Sequence, residues 1–133
     1  MYEHLLVPID GSDNAKRAAK EAAFFTNVHP TAFVELLYVT NFKKSDQSRE
    51  KLEKQVATIT NTIEDFYIEK QIDYKVTILH GQPAREIIRH ANSLKVDLII
   101  IGSRGVGGLK KMVLGSVSEK VVTGTDAPVL VIK

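Results

Sequence analysis

Five short apolar runs, each separated from the next by a stretch with helical periodicity, constrain this chain more than any other feature. They are "HLLVPI" (4–9), "AFVELLYV" (32–39), "YKVTIL" (74–79), "DLIII" (97–101) and "PVLVI" (128–132). "LLV", "LIII" and "VLVI" are continuous and rich in branched residues, as strands covered on both faces are. "YKVTIL" starts with apolar–polar alternation, which suits a strand nearer an edge. Between the runs, residues 13–26 align Ala15, Ala18, Ala19, Ala22 and Phe25, with Ser12 placed as N-cap. The small side chains of that stripe let the helix sit close to a sheet. Residues 46–70 align Leu52, Val56, Ile59, Ile63 and Phe66, after a polar lead-in at 41–50. Residues 83–94 open on Pro83 and align Ala84, Ile87, Ile88 and Ala91. Residues 116–123 align Val117 and Val121 and stop at Gly124.

The order βαβαβαβαβ implies a parallel sheet with helices on both faces, a three-layer α/β/α sandwich. At 133 residues the chain fits one domain spanning 1–133. Right-handed crossovers leave two common strand orders, 3-2-1-4-5 and 2-1-3-4-5. Ligands bind such sheets beyond the carboxyl ends of the strands, where the winding reverses. In the first order that crevice lies between strands one and four, whose ends here read "PIDGS" (8–12) and "IGSRG" (101–105). Two unusual sequences would then face one another, which favours 3-2-1-4-5 and locates a site.

The site must accommodate a long connection. After the fourth run come about a dozen residues holding four glycines, Gly102, Gly105, Gly107 and Gly108, before Gly115 and the helix that starts at Ser116. Turns in compact α/β units usually take ~2–6 residues. Glycine lets backbone N–H groups approach a ligand and converge on an anion, and a helix N-terminus adds unpaired donors and partial positive charge. The spacing Gly102-x2-Gly105-x9-Gly115-Ser116 sets two such clusters apart, with a span able to fold over phosphates. Arg104 can add a charged fork, and Ser116 and Ser118 can add hydroxyls. Polyphosphate suits this chemistry best. Two plainer readings stand beside it: a surface loop without a ligand, and a capping box between Ser116 and Glu119 that would close the helix end to an anion.

Other chemistries fit less well. A P-loop needs Gly-Lys-Ser/Thr, absent from the chain, and Gly105-Val-Gly107 has Lys110 where a dinucleotide fingerprint needs its third glycine. A phospho-accepting receiver needs an aspartate ending the third strand, where this chain has "ILHG" (78–81). His4, His29, His80 and His90 lack metal-ligand spacing and read as structural or surface residues. A net charge of +2, with dispersed basic residues, argues against nucleic acid or an anionic membrane as partner. Zero cysteines, no basic N-terminal flank and no apolar run near the ~20 residues of a membrane span make a cytoplasmic protein the expectation.

On these residues the chain resembles the universal stress proteins. ATP-binding members of that family carry G-x2-G-x9-G-[ST], and Gly102, Gly105, Gly115 and Ser116 match it without departure. "VPIDGS" at the first strand, "LGSVSEKV" after the loop and "APVLVI" at the last strand are similar too, so the resemblance covers essentially the whole chain. It implies a 3-2-1-4-5 sheet of the half-Rossmann, adenine nucleotide alpha hydrolase-like type, and a homodimer. In similar proteins ATP lies across the switch point. Carried over by position, Pro8, Ile9 and Val39 would border adenine, with Asp10 near the ribose or a magnesium ion. Gly102, Arg104, Gly105, Gly115, Ser116, Val117 and Ser118 would hold the phosphates. ATP is the implied ligand, with ADP or AMP as alternatives and Mg²⁺ as companion. An edge strand at 128–132 would supply the dimer contact.

Two functions from different classes remain: a stress-response regulatory sensor that binds the nucleotide, and a slow ATPase or phosphotransfer (autophosphorylating) enzyme. Hydrolysis needs a positioned water, a group to orient it, and cations on the transferring phosphoryl. Arg104, Lys110 and Lys111 offer cations, but no base or water-orienting glutamine lies beside the loop, and Asp10 is a turn residue as readily as a ligand. Binding without fast turnover is the expectation.

Overall fold

A computed structural model describes residues 2–41, 48–104 and 114–133. Its elements follow in strict alternation: β1 (His4–Ile9), α1 (Asp13–Val28), β2 (Phe33–Thr40), α2 (Arg49–Glu69), β3 (Tyr74–His80), α3 (Pro83–Leu94), β4 (Leu98–Gly102), α4 (Ser116–Gly124) and β5 (Val129–Ile132). All pairings are parallel and the strand order is β3-β2-β1-β4-β5, the 3-2-1-4-5 order.

Period-two alternation divides β1 between two cores. Leu5, Val7 and Ile9 pack with the alanine face of α1 and with Ile63 and Tyr67 of α2. Leu6 packs on the opposite face with Leu37, Ile87, Ala91, Ile99, Ile101 and Val121, under α3 and α4. The central strands are fully covered, whereas β3 and β5 form the edges and are mostly half-buried.

Helix boundaries follow local chemistry. α1 continues to Val28, past the expected end at 26, because Asn27 and Val28 do not break a helix; it ends at His29, ahead of Pro30, where α geometry is disfavoured. α2 starts at Arg49 behind Ser48, whose hydroxyl accepts the Lys51 N–H at 3.2 Å; the expected start at residue 46 lies outside the described residues. Its buried stripe runs Leu52, Val56, Thr60, Ile63, Tyr67. Tyr67, not Phe66, is fully buried, and its hydroxyl is satisfied there by donating to the Ala19 carbonyl of α1 at 2.6 Å. α3 starts as expected on Pro83, with Gln82 accepting the Arg85 N–H.

Candidate functional site

The winding reverses between β1 and β4, and there the carboxyl ends of the strands frame a cleft of about 410 Å³. That is the size of a small-molecule site. Of the eleven residues expected from the sequence, ten line it: Pro8, Ile9, Asp10, Val39, Gly102, Arg104, Gly115, Ser116, Val117 and Ser118. Gly105 lies outside the described residues, as do Lys110, Lys111, Met112 and Val113; Leu114 is half-buried.

Each wall has a local cause. At the end of β1 the chain turns at Gly11, with φ +87°, a conformation L side chains resist. Asp10 serves that turn: its Oδ1 accepts the Ser12 N–H at 2.9 Å. The apolar wall comes from β2 and α3. Leu37 and Val39, alternate residues on β2, face Pro83 and Ile87 on α3, and Tyr38 and Asn41 complete the rim. Leu37, Tyr38, Asn41, Pro83, Ile87, Ser12, Ala15 and Ile101 were not singled out as site residues by sequence reasoning. Their signal is positional: once the strand order is fixed, the end of β2 and the start of α3 must abut the switch point.

The opposite wall is the start of α4. Gly115, not Ser116, is the N-cap, and no side chain caps this helix. Ser116 is the first helical residue, so a capping box of Ser116 with Glu119 does not form there. The other three helices each have a side-chain cap, from Ser12, Ser48 and Gln82. The N–H groups of the first α4 turn therefore have neither an intrahelical partner nor a side-chain cap, and they lie at the cleft.

Ser103 joins the two feet of the glycine-rich connection. Its carbonyl accepts the Gly115 N–H at 2.5 Å and the Ser118 hydroxyl at 2.9 Å, and its N–H donates to the Ile132 carbonyl at 2.7 Å. Its hydroxyl accepts from Asn14 Nδ2 at 3.1 Å. Sequence reasoning passed over Ser103, since a serine after a strand has no distinctive pattern. Ser118 is buried with its hydroxyl turned inward, so its backbone, rather than its hydroxyl, is what it can offer a ligand.

A second polar cluster lies one layer beneath the apolar wall. Glu35 of β2 is fully buried, yet three donors converge on its carboxylate: His4 Nε2 at 2.6 Å, Thr77 Oγ1 at 2.6 Å and His90 Nε2 at 2.9 Å. Burial pushes this carboxyl up, and the hydrogen bonds from His4, Thr77 and His90 override it, bringing the group down to about 2. Ionised Glu35 can only accept, so both imidazoles donate through Nε2. Two of the four histidines thus converge across 86 residues of sequence, which no local spacing records.

Among the described residues no group of three or more His, Cys, Asp or Glu side chains could hold a metal ion, and no helix is long and apolar enough to cross a membrane.

Comparison with known proteins agrees with the geometry. The model of the Universal stress protein family matches residues 1–133. Universal stress protein YxiE of Bacillus subtilis is 32% identical over the whole of both chains. The solved structure of MJ0577, a universal stress protein of Methanocaldococcus jannaschii, is 33% identical, covers 100% of this chain and 96% of its own, and superposes with a TM-score of 0.80. A universal stress protein solved in complex with cAMP has the same fold, with a TM-score of 0.80 at 21% identity over 99% of this chain and 97% of its own. Matched from its first residue to its last, with the sheet order and switch-point cleft described above, this chain belongs to the universal stress protein family.

Proposed function

We propose that the cleft binds an adenine nucleotide, with the base against the β2–α3 wall and the phosphates at the start of α4, and that the protein is a stress-response regulatory sensor. One observation carries this reading: a helix start without a side-chain cap faces an apolar wall across a single cleft. An apolar slot accepts a planar base, and unpaired N–H groups with the positive end of a helix dipole accept phosphate oxygens. The cAMP complex of a protein with the same fold supports the choice of an adenine nucleotide. Pro8, Ile9 and Val39 would border the base; Gly102, Arg104, Gly115, Ser116, Val117 and Ser118 would surround the phosphates, joined by Gly105. ATP is the proposed ligand.

The fit to magnesium is limited but workable. Asp10 is the one carboxylate among the described lining residues, and one of its oxygens serves the Ser12 turn. Mg²⁺ takes few carboxylates when phosphate oxygens and water supply the rest, so Asp10 would hold it only together with the nucleotide.

The proposed role is binding rather than turnover. The described lining residues include no histidine or glutamine to orient a water. Phosphate release is expected far below the ~10 s⁻¹ median of enzymes. The half-buried edge strand β5 is the proposed homodimer contact, and the cytoplasm the proposed compartment.

Freshly purified protein, denatured and run on anion exchange at 260 nm, should release ATP, ADP or AMP, and calorimetry with Mg-ATP should give a saturable heat. A blank eluate together with no heat would remove the nucleotide site.

A further inference from the structure

Glu35 carries its charge just beneath the cleft. On β2 the side chains facing α3 run Glu35, Leu37, Val39; on α3 the facing residues run His90, Ile87, Pro83. Leu37 and Val39 from β2, with Ile87 and Pro83 from α3, together make the apolar wall of the cleft. The 2.9 Å bond from His90 Nε2 to Glu35 Oε2 is the next rung down, spanning the same two elements. His4 from β1 and Thr77 from β3 hold the carboxylate from the sides, each at 2.6 Å. Three strands and one helix therefore meet at one charge, one rung below the residues that make the apolar wall.

We propose that Glu35 is a positioning residue for the cleft, and that proton uptake by its imidazole partners tightens the β2–α3 wall and raises nucleotide affinity. This rests on the nucleotide-binding reading above. Each imidazole donates through Nε2 whether neutral or protonated, and protonation adds the attraction of opposite charges to a bond whose acceptor is already ionised. The route for the proton is short: the side chains of His4 and His90 are 15% and 16% exposed, while that of Glu35 is 1% exposed. Histidine is the side-chain type whose charge ordinarily changes between about pH 8 and 5. Other charged groups surround the cluster. Lys75 of β3 sits 5.6 Å from the Phe33 ring, which stacks on His4; Glu86 on α3 pairs with Arg89; Asp97, ahead of β4, accepts the His4 N–H at 2.9 Å.

Calorimetric titration with Mg-ATP from about pH 8 to about 5.5 tests the coupling in wild type, Glu35→Gln and His90→Gln. The terminal phosphate of ATP takes up a proton in the same window, equally for every variant, so the comparison is between pH profiles. On acidification the wild-type affinity should rise roughly fivefold relative to His90→Gln, the low end of coupling between linked sites. Parallel profiles in wild type and both variants would overturn the proposal. His90→Gln keeps a donor facing Glu35, which guards against loss of the fold. A second readout needs no nucleotide: in wild type the backbone amide resonances of Leu37 and Ile87 should shift with the His90 ring resonances across this pH range, and in His90→Gln, where only His4 is left beside Glu35, that shift should shrink. Absence of binding at every pH would defeat the nucleotide reading itself. The amide titration would then decide the coupling alone, supported by amides that follow the ring and overturned by amides that do not.

Discussion

Gly102 presses its Cα against the backbone of Asn14: a Cβ built on it would lie 2.8 Å from the Asn14 carbonyl carbon and 3.0 Å from the Ala15 nitrogen. These are backbone atoms at the start of α1, so they cannot swing aside. Gly102→Ala should push α1 off β4 and cost roughly 1–3 kcal/mol in urea unfolding, as overpacked sites do. Nucleotide affinity should fall as well, because Ser12 and Ala15 of that helix start line the cleft. An unchanged urea midpoint would show that the contact is looser than the backbone geometry requires.

Gly115 has φ −72° and ψ 166°, a conformation any residue adopts. Its glycine is therefore not needed for the turn, and stability and ligand binding can be separated there. Gly115→Ser adds the missing cap, which should raise stability by a few tenths of a kcal/mol. The new hydroxyl would take up a donor of the first turn, so affinity for Mg-ATP should drop several-fold. Thermal unfolding and calorimetry on the same preparation read both effects; stability and affinity rising together would contradict the assignment of phosphates to this helix start.

Glu35 titrates near 2 in the folded chain against an ordinary 4.5. A depressed carboxyl contributes stability that is present above its unfolded value and is lost as pH falls from about 4.5 towards 2. The shift corresponds to about 3 kcal/mol. Glu35→Gln should lower stability at neutral pH by a similar amount and flatten the acid limb. Urea midpoints at a series of pH values would check this; an acid limb as steep in the variant would mean that another carboxylate governs it.

Tyr67 is fully buried, and burial pushes its phenol up. An acid with a raised folded value contributes stability that is full below its unfolded value near 10 and is lost as pH rises through the folded one. Tyr67→Phe should cost about 1 kcal/mol at neutral pH through the lost bond to Ala19. It should also lose less stability than wild type on passing pH 10, a difference that circular dichroism in urea would resolve.

Much of this molecule can be read from local patterns, since burial imposes a period on each element. β1, β4 and β5 are continuous branched runs, and the alanine stripe of α1 marks a helix that must lie close to its sheet, as Gly102 and Asn14 do. The glycine spacing marks where a backbone could meet a ligand. What local patterns miss is decided by atoms brought together from distant parts of the chain. Periodicity puts Phe66 on the core stripe of α2, whereas in the fold Tyr67 is the fully buried residue, its hydroxyl satisfied by the Ala19 carbonyl of a helix far away in sequence. A serine and glutamate three apart read as a capping box, but Gly115, extended in backbone and accepting the Glu119 N–H at 3.0 Å, is the cap.

By itself, then, the sequence determined the alternation of strands and helices, the glycines at two separated hinges and the family. Each of these depends on residues near one another in the chain, where side-chain period and backbone freedom act directly. Only the tertiary structure decided that Ser103 ties the two hinges together, that Leu37 and Val39 face Pro83 and Ile87, and that His4 and His90 meet on a buried Glu35. Those relationships are distances between segments far apart in sequence, and they exist only once the sheet has set its order and register.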